Sequence, residues 1–244
     1  MRILKKLDVH SIKLLSFDLD NTLYDCQSVL CRAESWFTEY LCDRYGLGGE
    51  CRDYAFWKKI KNDVLKNDPN LANDVTELRI KSLIVAFNYL KIPLEHGYAT
   101  AQALVDRFIK KRSQGIIDPK IVAMLYRLKK SFPLVAVSNG NLRLGELGLE
   151  GVFERDFRPN LMGVRRKPYA DLFSLCAKAY HLYPHEILHI GDDPYTDVLG
   201  AVHSGCLCAW LYRGYTGISD DESKIRALPH VVFDRIEELE ILLL

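Results

Sequence analysis

The sequence predicts an α/β fold: a doubly wound, Rossmann-like parallel sheet with an α-helical segment inserted after its first strand. Three observations point to it. Short apolar runs stop abruptly at polar loops after Phe17, Val137 and Ile190, as strands buried on both faces do. From Asp118 onward such runs alternate with stretches of helical period, as strands joined by crossover helices do. Between these regions, after the first strand, the period is helical and no strand signal interrupts it.

The first strand spans Ile12 to Phe17 and runs into Asp18-Leu19-Asp20-Asn21-Thr22. A helix follows from Val29, because Val29, Leu30, Ala33, Trp36, Phe37, Tyr40 and Leu41 repeat at three-and-four spacing, with Ser28 as the expected N-cap and Gly46 just past the end. Further helices are expected over Arg52 to Lys66, Asp74 to Leu90 and His96 to Lys111, broken at Asn67-Asp68-Pro69-Asn70 and Ile92-Pro93. The alternating half has a helix from Asp118-Pro119 to Lys130, a strand over Leu134 to Val137 and a helix over Tyr169 to His181. Then come a strand over Ile187 to Ile190, a helix over Thr196 to Ser204, a strand over Leu207 to Tyr212 and a short final helix from Ile236. The economical division is a core of residues 1–24 and 113–244 and a helical insert of residues 25–112.

Composition narrows the function. With 48% hydrophobic and 27% charged residues the chain is ordinary for a globular protein, which excludes general disorder. Thirty-three basic against 32 acidic residues give a net charge of +1, too balanced for a surface that tracks nucleic-acid phosphates. The apolar stretches are far short of the roughly 18 residues a membrane span needs. Seven cysteines, an odd number without zinc-ligand spacing and with no secretory signal ahead of them, read as reduced thiols in a cytoplasmic protein.

In an open α/β sheet, ligands bind beyond the carboxyl ends of the strands. Asp18 and Asp20 follow the first strand, Ser138 and Asn139 the second, and Gly191-Asp192-Asp193 with Asp197 the third, while Lys167 lies in a loop before a helix. Asp18 and Asp20, two apart in extended chain, point to one side and repel; with Asp192 and Asp193 added, a cation is called for, and an all-oxygen ligand set favours Mg²⁺. A carboxylate needs no deprotonation to attack phosphorus, giving an aspartyl phosphate. A metal and Lys167 would neutralise the phosphoryl oxygens while Ser138 and nearby backbone N–H groups orient them.

These residues resemble the haloacid dehalogenase-like phosphohydrolases. The family's Asp-x-Asp-x-Thr motif matches Asp18 to Thr22, its strand-end serine or threonine matches Ser138, its lysine motif matches Lys167-Pro168, and its acidic motif matches Gly191-Asp192-Asp193 with Asp197, all in the family's order. The resemblance implies Asp18 as nucleophile and metal ligand, and Asp20 as general acid/base that also reaches the metal through its backbone carbonyl. It implies Thr22 as a group orienting the loop at the phosphate site, Ser138 and Asn139 as phosphate-holding groups, Lys167 as partner of nucleophile and phosphoryl group, and Asp192 as direct Mg²⁺ ligand. Asp193 or Asp197 acts from outside the ligand shell, and the helical insert corresponds to the family's cap.

Stretches around Asp74-Val75-Thr76 with Arg79, Phe132 to Asn141 and Glu186 to Asp193 look like the YigB-type subgroup, which removes phosphate from the ribitylaminouracil phosphate of riboflavin synthesis and from FMN. A small phosphorylated metabolite is therefore the expected partner of a monomer or homodimer that binds neither nucleic acid nor membrane. A phosphatase of another sugar or nucleotide phosphate, a metal-independent haloacid dehalogenase and a phospho-ligand-binding protein remain as alternatives. The basic run Lys110-Lys111-Arg112 reads as a helix end facing water, His189 as a packed strand histidine, and Trp36, Tyr40 and Tyr45 as packing residues of the insert.

Overall fold

The structure is a computed structural model of the chain and describes residues 1–114, 117–212 and 226–244. The remaining stretches of the expected core, 115–116 and 213–225, lie outside the described residues. Its centre is a seven-stranded sheet formed by β1 (Arg2–Ile3), β2 (Leu14–Phe17), β3 (Leu134–Val137), β4 (Arg155–Phe157), β5 (Ile187–Gly191), β6 (Leu207–Leu211) and β7 (Val231–Phe233). The order is β1-β7-β6-β5-β2-β3-β4, all parallel except the β1–β7 pair. The chain runs outward from β2 in one direction and then in the other, so the topological switch lies beside β2.

Alternation along each strand builds two cores. Leu15, Phe17, Leu134, Ala136, Leu188 and Ile190 face one side, where α5 (Pro119–Leu128) and α8 (Glu238–Leu243) cover them with Ile121, Met124, Leu125 and Leu239. Leu14, Val135, Val137, Ile187, Cys208 and Trp210 face the other, under α6 (Asp171–Tyr180) and α7 (Gly200–His203). Each Leu or Phe so buried contributes about 1.5–3 kcal/mol.

The helical stretch forms α1 (Cys26–Tyr45), α2 (Tyr54–Asn67), α3 (Val75–Tyr89) and α4 (Tyr98–Arg112), packed around their own apolar cluster of Phe37, Leu41, Leu83, Phe87, Leu104 and Phe108. Aspartates start three of these four helices: Asp25, Asp53 and Asp74 each accept from backbone N–H groups in the first turn. The cap of α1 is therefore Asp25, three residues before the expected Ser28, whose own N–H is the group Asp25 binds. Gly46 ends the helix at φ +64°, where a side chain would be strained.

Other differences have local causes. The helix expected over Thr196 to Ser204 is a π-helical turn, Pro194–Leu199, running into α7, and it starts earlier because Asp193 caps it. Helix α6 begins at Asp171, so Pro168 lies ahead of it, after a cis Lys167–Pro168 peptide. All seven cysteines are free thiols and only Cys31 is exposed. Among the described residues no helix is long and apolar enough to cross a membrane.

Candidate active site

Strand β2 lies between β3 and β5, and the three end within one residue of one another, because Phe17 pairs with Ala136 on one side and Ile190 on the other, each one residue short of its strand's end. The next residues of each strand, Asp18, Ser138 and Asp192, therefore emerge at one sheet edge. The Asp18 N–H is held by the carbonyl of Ile190 at 2.8 Å.

Lys167 reaches this edge from its loop and is 1% exposed. Its ammonium donates to Asp18 Oδ1 at 2.7 Å, to Asp197 Oδ1 at 2.6 Å and to the Val137 carbonyl at 2.7 Å, which uses all three of its protons. Burial disfavours this charge, but the two carboxylates hold the lysine above its ordinary range. Asn139 fixes the loop by accepting from the Lys167 N–H at 2.8 Å and donating to its carbonyl at 3.0 Å.

Asp197 accepts three bonds. Besides Lys167 it receives His189 Nε2 at 3.1 Å, and its second oxygen accepts the Asp193 N–H at 3.0 Å. Burial pushes Asp197 up, yet Lys167 and His189 outweigh this and hold it well below the usual carboxylate range. Burial keeps His189 below its ordinary pKa, so the neutral ring gives its Nε2 proton to Asp197 and accepts the Ser16 hydroxyl at Nδ1, 3.0 Å away. The π-helical turn brings Asp197 against Gly191, where an added Cβ would lie 2.3 Å from Asp197 Cγ; only glycine fits. Asp193, by contrast, spends its side chain capping that turn through the Tyr195 and Thr196 N–H groups.

Asp18 and Asp192 are the strained members. Burial, opposed by Lys167 and reinforced by Asp197 and Asp20, pushes Asp18 up to about 7. Burial, then Asp197 and Asp18, raise Asp192 well above its ordinary value. One oxygen from each of Asp18, Asp192 and Asp197 lies within 4.8 Å of the others. Thr22, fully buried, donates to Asp192 at 3.0 Å, and Ser138 accepts the Gly140 N–H at 3.1 Å.

Asp20 stands apart from this knot and lines a cavity of about 290 Å³ whose walls include Asn139, Gly140 and Asn141 from the core and Leu30, Lys61, Val75, Leu78, Arg79 and Phe108 from the helical stretch. Its carboxylate is gripped by Arg112 at 3.0 and 3.1 Å and by the Tyr24 hydroxyl. Arg112 also reaches Asn141 Oδ1 at 3.0 Å, and Asn141 donates to Thr76 at the start of α3 at 3.1 Å. Only the Arg112 Nε is buried without a partner among the described residues.

Arg112 overturns the expectation of a solvated helix end: Lys110 and Lys111 are exposed, whereas Arg112 is 6% exposed. The signal was present, because Arg112 follows the buried Val105, Phe108 and Ile109 by seven, four and three residues and so continues the apolar stripe of α4. Trp36, Tyr40 and Tyr45 pack against the helical cluster and do not line the cavity.

The chain is similar to known enzymes along nearly its whole length. An Escherichia coli (strain K12) 5-amino-6-(5-phospho-D-ribitylamino)uracil phosphatase, YigB, is 33% identical over 232 residues, 95% of this chain and 96% of that enzyme. A Pyrococcus furiosus glyceraldehyde 3-phosphate phosphatase is 26% identical, covering 95% of this chain and 93% of that protein. The crystal structure of a 2-haloacid dehalogenase from Pseudomonas syringae pv. Tomato DC3000 superposes with a TM-score of 0.82 at 26% identity, over 95% of this chain and 98% of that one. Residues 12–205 match the family model for haloacid dehalogenase-like hydrolases, and the chain belongs to that family of enzymes.

Proposed function

We propose that this hydrolase is a Mg²⁺-dependent phosphatase of small phosphorylated metabolites acting through an aspartyl phosphate, with residues 25–112 as a cap over the core formed by residues 1–24 and 113–244. The observation that carries it is the pairing of a buried carboxylate, Asp18, locked to Lys167, with a second carboxylate, Asp20, free of that knot and lining the cavity.

Asp18 attacks phosphorus through the oxygen that Lys167 does not hold, and the ester P–O bond breaks as Asp20, which takes up a proton from solvent before the step, gives that proton to the leaving oxygen. Asp20 then takes a proton from the water that cleaves the aspartyl phosphate, so Asp18 and Asp20 return to their starting states. Ser138, Asn139 and Thr22 shape the phosphate end, Thr22 through Asp192. Asp197 holds Lys167 in place, a task that Asp193, occupied as a cap, does not share.

The site fits a hard cation: its free donors are oxygens, and Asp18 and Asp192 are both raised by burial and by neighbouring negative charge, which a cation would relieve. Asp18, Asp192 and the Asp20 backbone carbonyl would hold it. Bound there, Mg²⁺ supplies positive charge against the phosphoryl oxygens.

The similarity to YigB across nearly the whole chain supports a flavin-pathway substrate, the ribitylaminouracil phosphate or FMN, and the apolar wall of Leu30, Val75, Leu78 and Phe108 suits a flat ring. The dehalogenase likeness favours a second reading, haloacid hydrolysis through the same nucleophile. A halide leaves without a proton, so Asp20 as an acid at the cavity has no task there.

The test is phosphate release from a panel of metabolites containing both flavin-pathway compounds, with Mg²⁺ and with EDTA. Selective, EDTA-sensitive release is expected. Broad release keeps the phosphatase and rejects the substrate; no phosphate release, with halide release from 2-chloropropionate, replaces it by the dehalogenase. Arg112, as the residue positioning Asp20, gives a finer prediction. Arg112→Met should lower kcat/KM for alkyl phosphates, whose leaving group needs a proton, about 10- to 100-fold more than for 4-nitrophenyl phosphate, whose leaving group does not. Equal losses on both would reduce Arg112 to a structural residue.

A further inference from the structure

Three cations line the cavity between the helical insert and the sheet edge: Arg112, Arg79 and Lys61. Two of them are spent. Arg112 is bound to Asp20. Arg79 forms a two-point ion pair with the buried Glu34, at 2.6 and 3.0 Å, and its guanidinium lies 3.7 Å over the Phe108 ring.

Lys61, on α2, differs from both. It is half-buried, yet among the described residues it has no hydrogen bond and no ion pair within 4.0 Å. Glu34, the carboxylate that attracts it, is already bound at both oxygens by Arg79, which repels it along with Lys58. Partial burial and these cations lower its pKa, the direction expected of an ammonium held without a counter-charge. Such a charge is costly to keep in a protein wall unless something that binds there supplies the acceptor. Its neighbours along that wall, Leu30, Val75, Leu78 and Phe108, offer apolar contact and no acceptor side chain, while Asp20, Asn139 and Gly140 stand at the core side where the phosphate end would lie.

We propose that Lys61 is a specificity-determining residue, donating to a carbonyl or anionic oxygen on the body of the substrate, remote from the phosphate. The inference rests on the phosphatase reading and deepens it: the enzyme selects phosphate monoesters that join an apolar or flat body to an oxygen acceptor, as a pyrimidinedione or isoalloxazine does. A plain alkyl or aryl phosphate would leave Lys61 without its partner.

The experiment compares wild type, Lys61→Met and Lys61→Arg on FMN and on phenyl phosphate, which has a flat body but no second oxygen acceptor. For Lys61→Met the ratio of kcat/KM for FMN to that for phenyl phosphate should fall about 10- to 100-fold, the effect of one charge-assisted hydrogen bond, and Lys61→Arg should keep more of it. Equal losses on both substrates would place Lys61 on the phosphoryl group, and no loss on either would make it a solvated lysine; both overturn the proposal.

A second readout needs no turnover. Riboflavin carries the ring without the phosphate, and its fluorescence titration should show about tenfold or more weaker binding to Lys61→Met than to wild type. Wild type that releases no phosphate but binds riboflavin through Lys61 would reject the phosphatase reading alone. Binding unaffected by Lys61→Met would reject this inference alone.

Discussion

Asp18→Asn is expected to lower kcat by on the order of 10⁴-fold or more with the fold intact. The amide has the shape of the carboxyl and can still accept from Lys167, whose ammonium keeps Asp197 and the Val137 carbonyl in any case. What is lost, on the proposed mechanism, is the attacking oxygen. The same variant has a second, independent signature in stability. In the folded protein burial, offset in part by Lys167 and reinforced by Asp197 and Asp20, pushes Asp18 up to about 7, against 3.8 for the unperturbed group. A group whose folded pKa is raised stabilises below its unfolded pKa, and that contribution is lost as pH rises through the folded one. Without divalent cation, wild type should therefore lose stability relative to Asp18→Asn between about pH 4 and pH 7. Urea unfolding of both proteins in EDTA at the two ends of that window checks it; a wild-type stability that holds or rises relative to Asp18→Asn as pH rises would contradict the crowding of carboxylates at this edge.

Lys167→Met should have the largest combined effect, removing activity and about 3–5 kcal/mol of stability. The methionine fills the space, but Asp18 and Asp197 are left buried without the ammonium that binds both. Asp197 contributes the opposite pH dependence to Asp18: its folded pKa is depressed, so its stabilisation is present above 3.8 and lost as pH falls. Lys167→Met cancels that contribution. Adding Asp197→Asn to Lys167→Met should restore part of the lost stability and none of the activity, because removing both members of a buried pair costs less than removing one. Chemical denaturation at pH 7 with a phosphate-release assay separates the two effects, and full stability in the single variant would sink the account of the knot.

The strands that were legible in the sequence, β2, β3, β5 and β6, are buried on both faces and announce themselves as unbroken apolar runs. Those that were not are β1, β4 and β7, two or three residues each. In Arg155–Phe157 no apolar run exists, and Arg2–Ile3 is an exposed edge, so only pairing to a neighbour makes either a strand. The site divides the same way. Asp18, Ser138 and Asp192 could be read because a polar residue directly after a buried strand has little other reason to be there. Tyr24 and Lys61 could not, since their places depend on packing across the fold that no local pattern encodes; for Arg112 the stripe of α4 encodes the burial but not the bond to Asp20. Asp193 and Asp197 likewise look alike in the sequence, and only the π-helical turn makes the first a cap and aims the second at Lys167.

The chain of contacts from Ser16 through His189 and Asp197 to Lys167 and Asp18 draws on residues spread over 16 to 197. During synthesis, at about 5–20 residues per second, every one of these groups but the last few is made well before its partners. A nascent chain that has formed β2 and β3 already carries Asp18, yet has neither its lysine nor its other acids in place. Asp18 thus lacks its lysine and Asp197 until β5 and the turn after it have joined the sheet, and the proposed site assembles only when the fold is nearly complete.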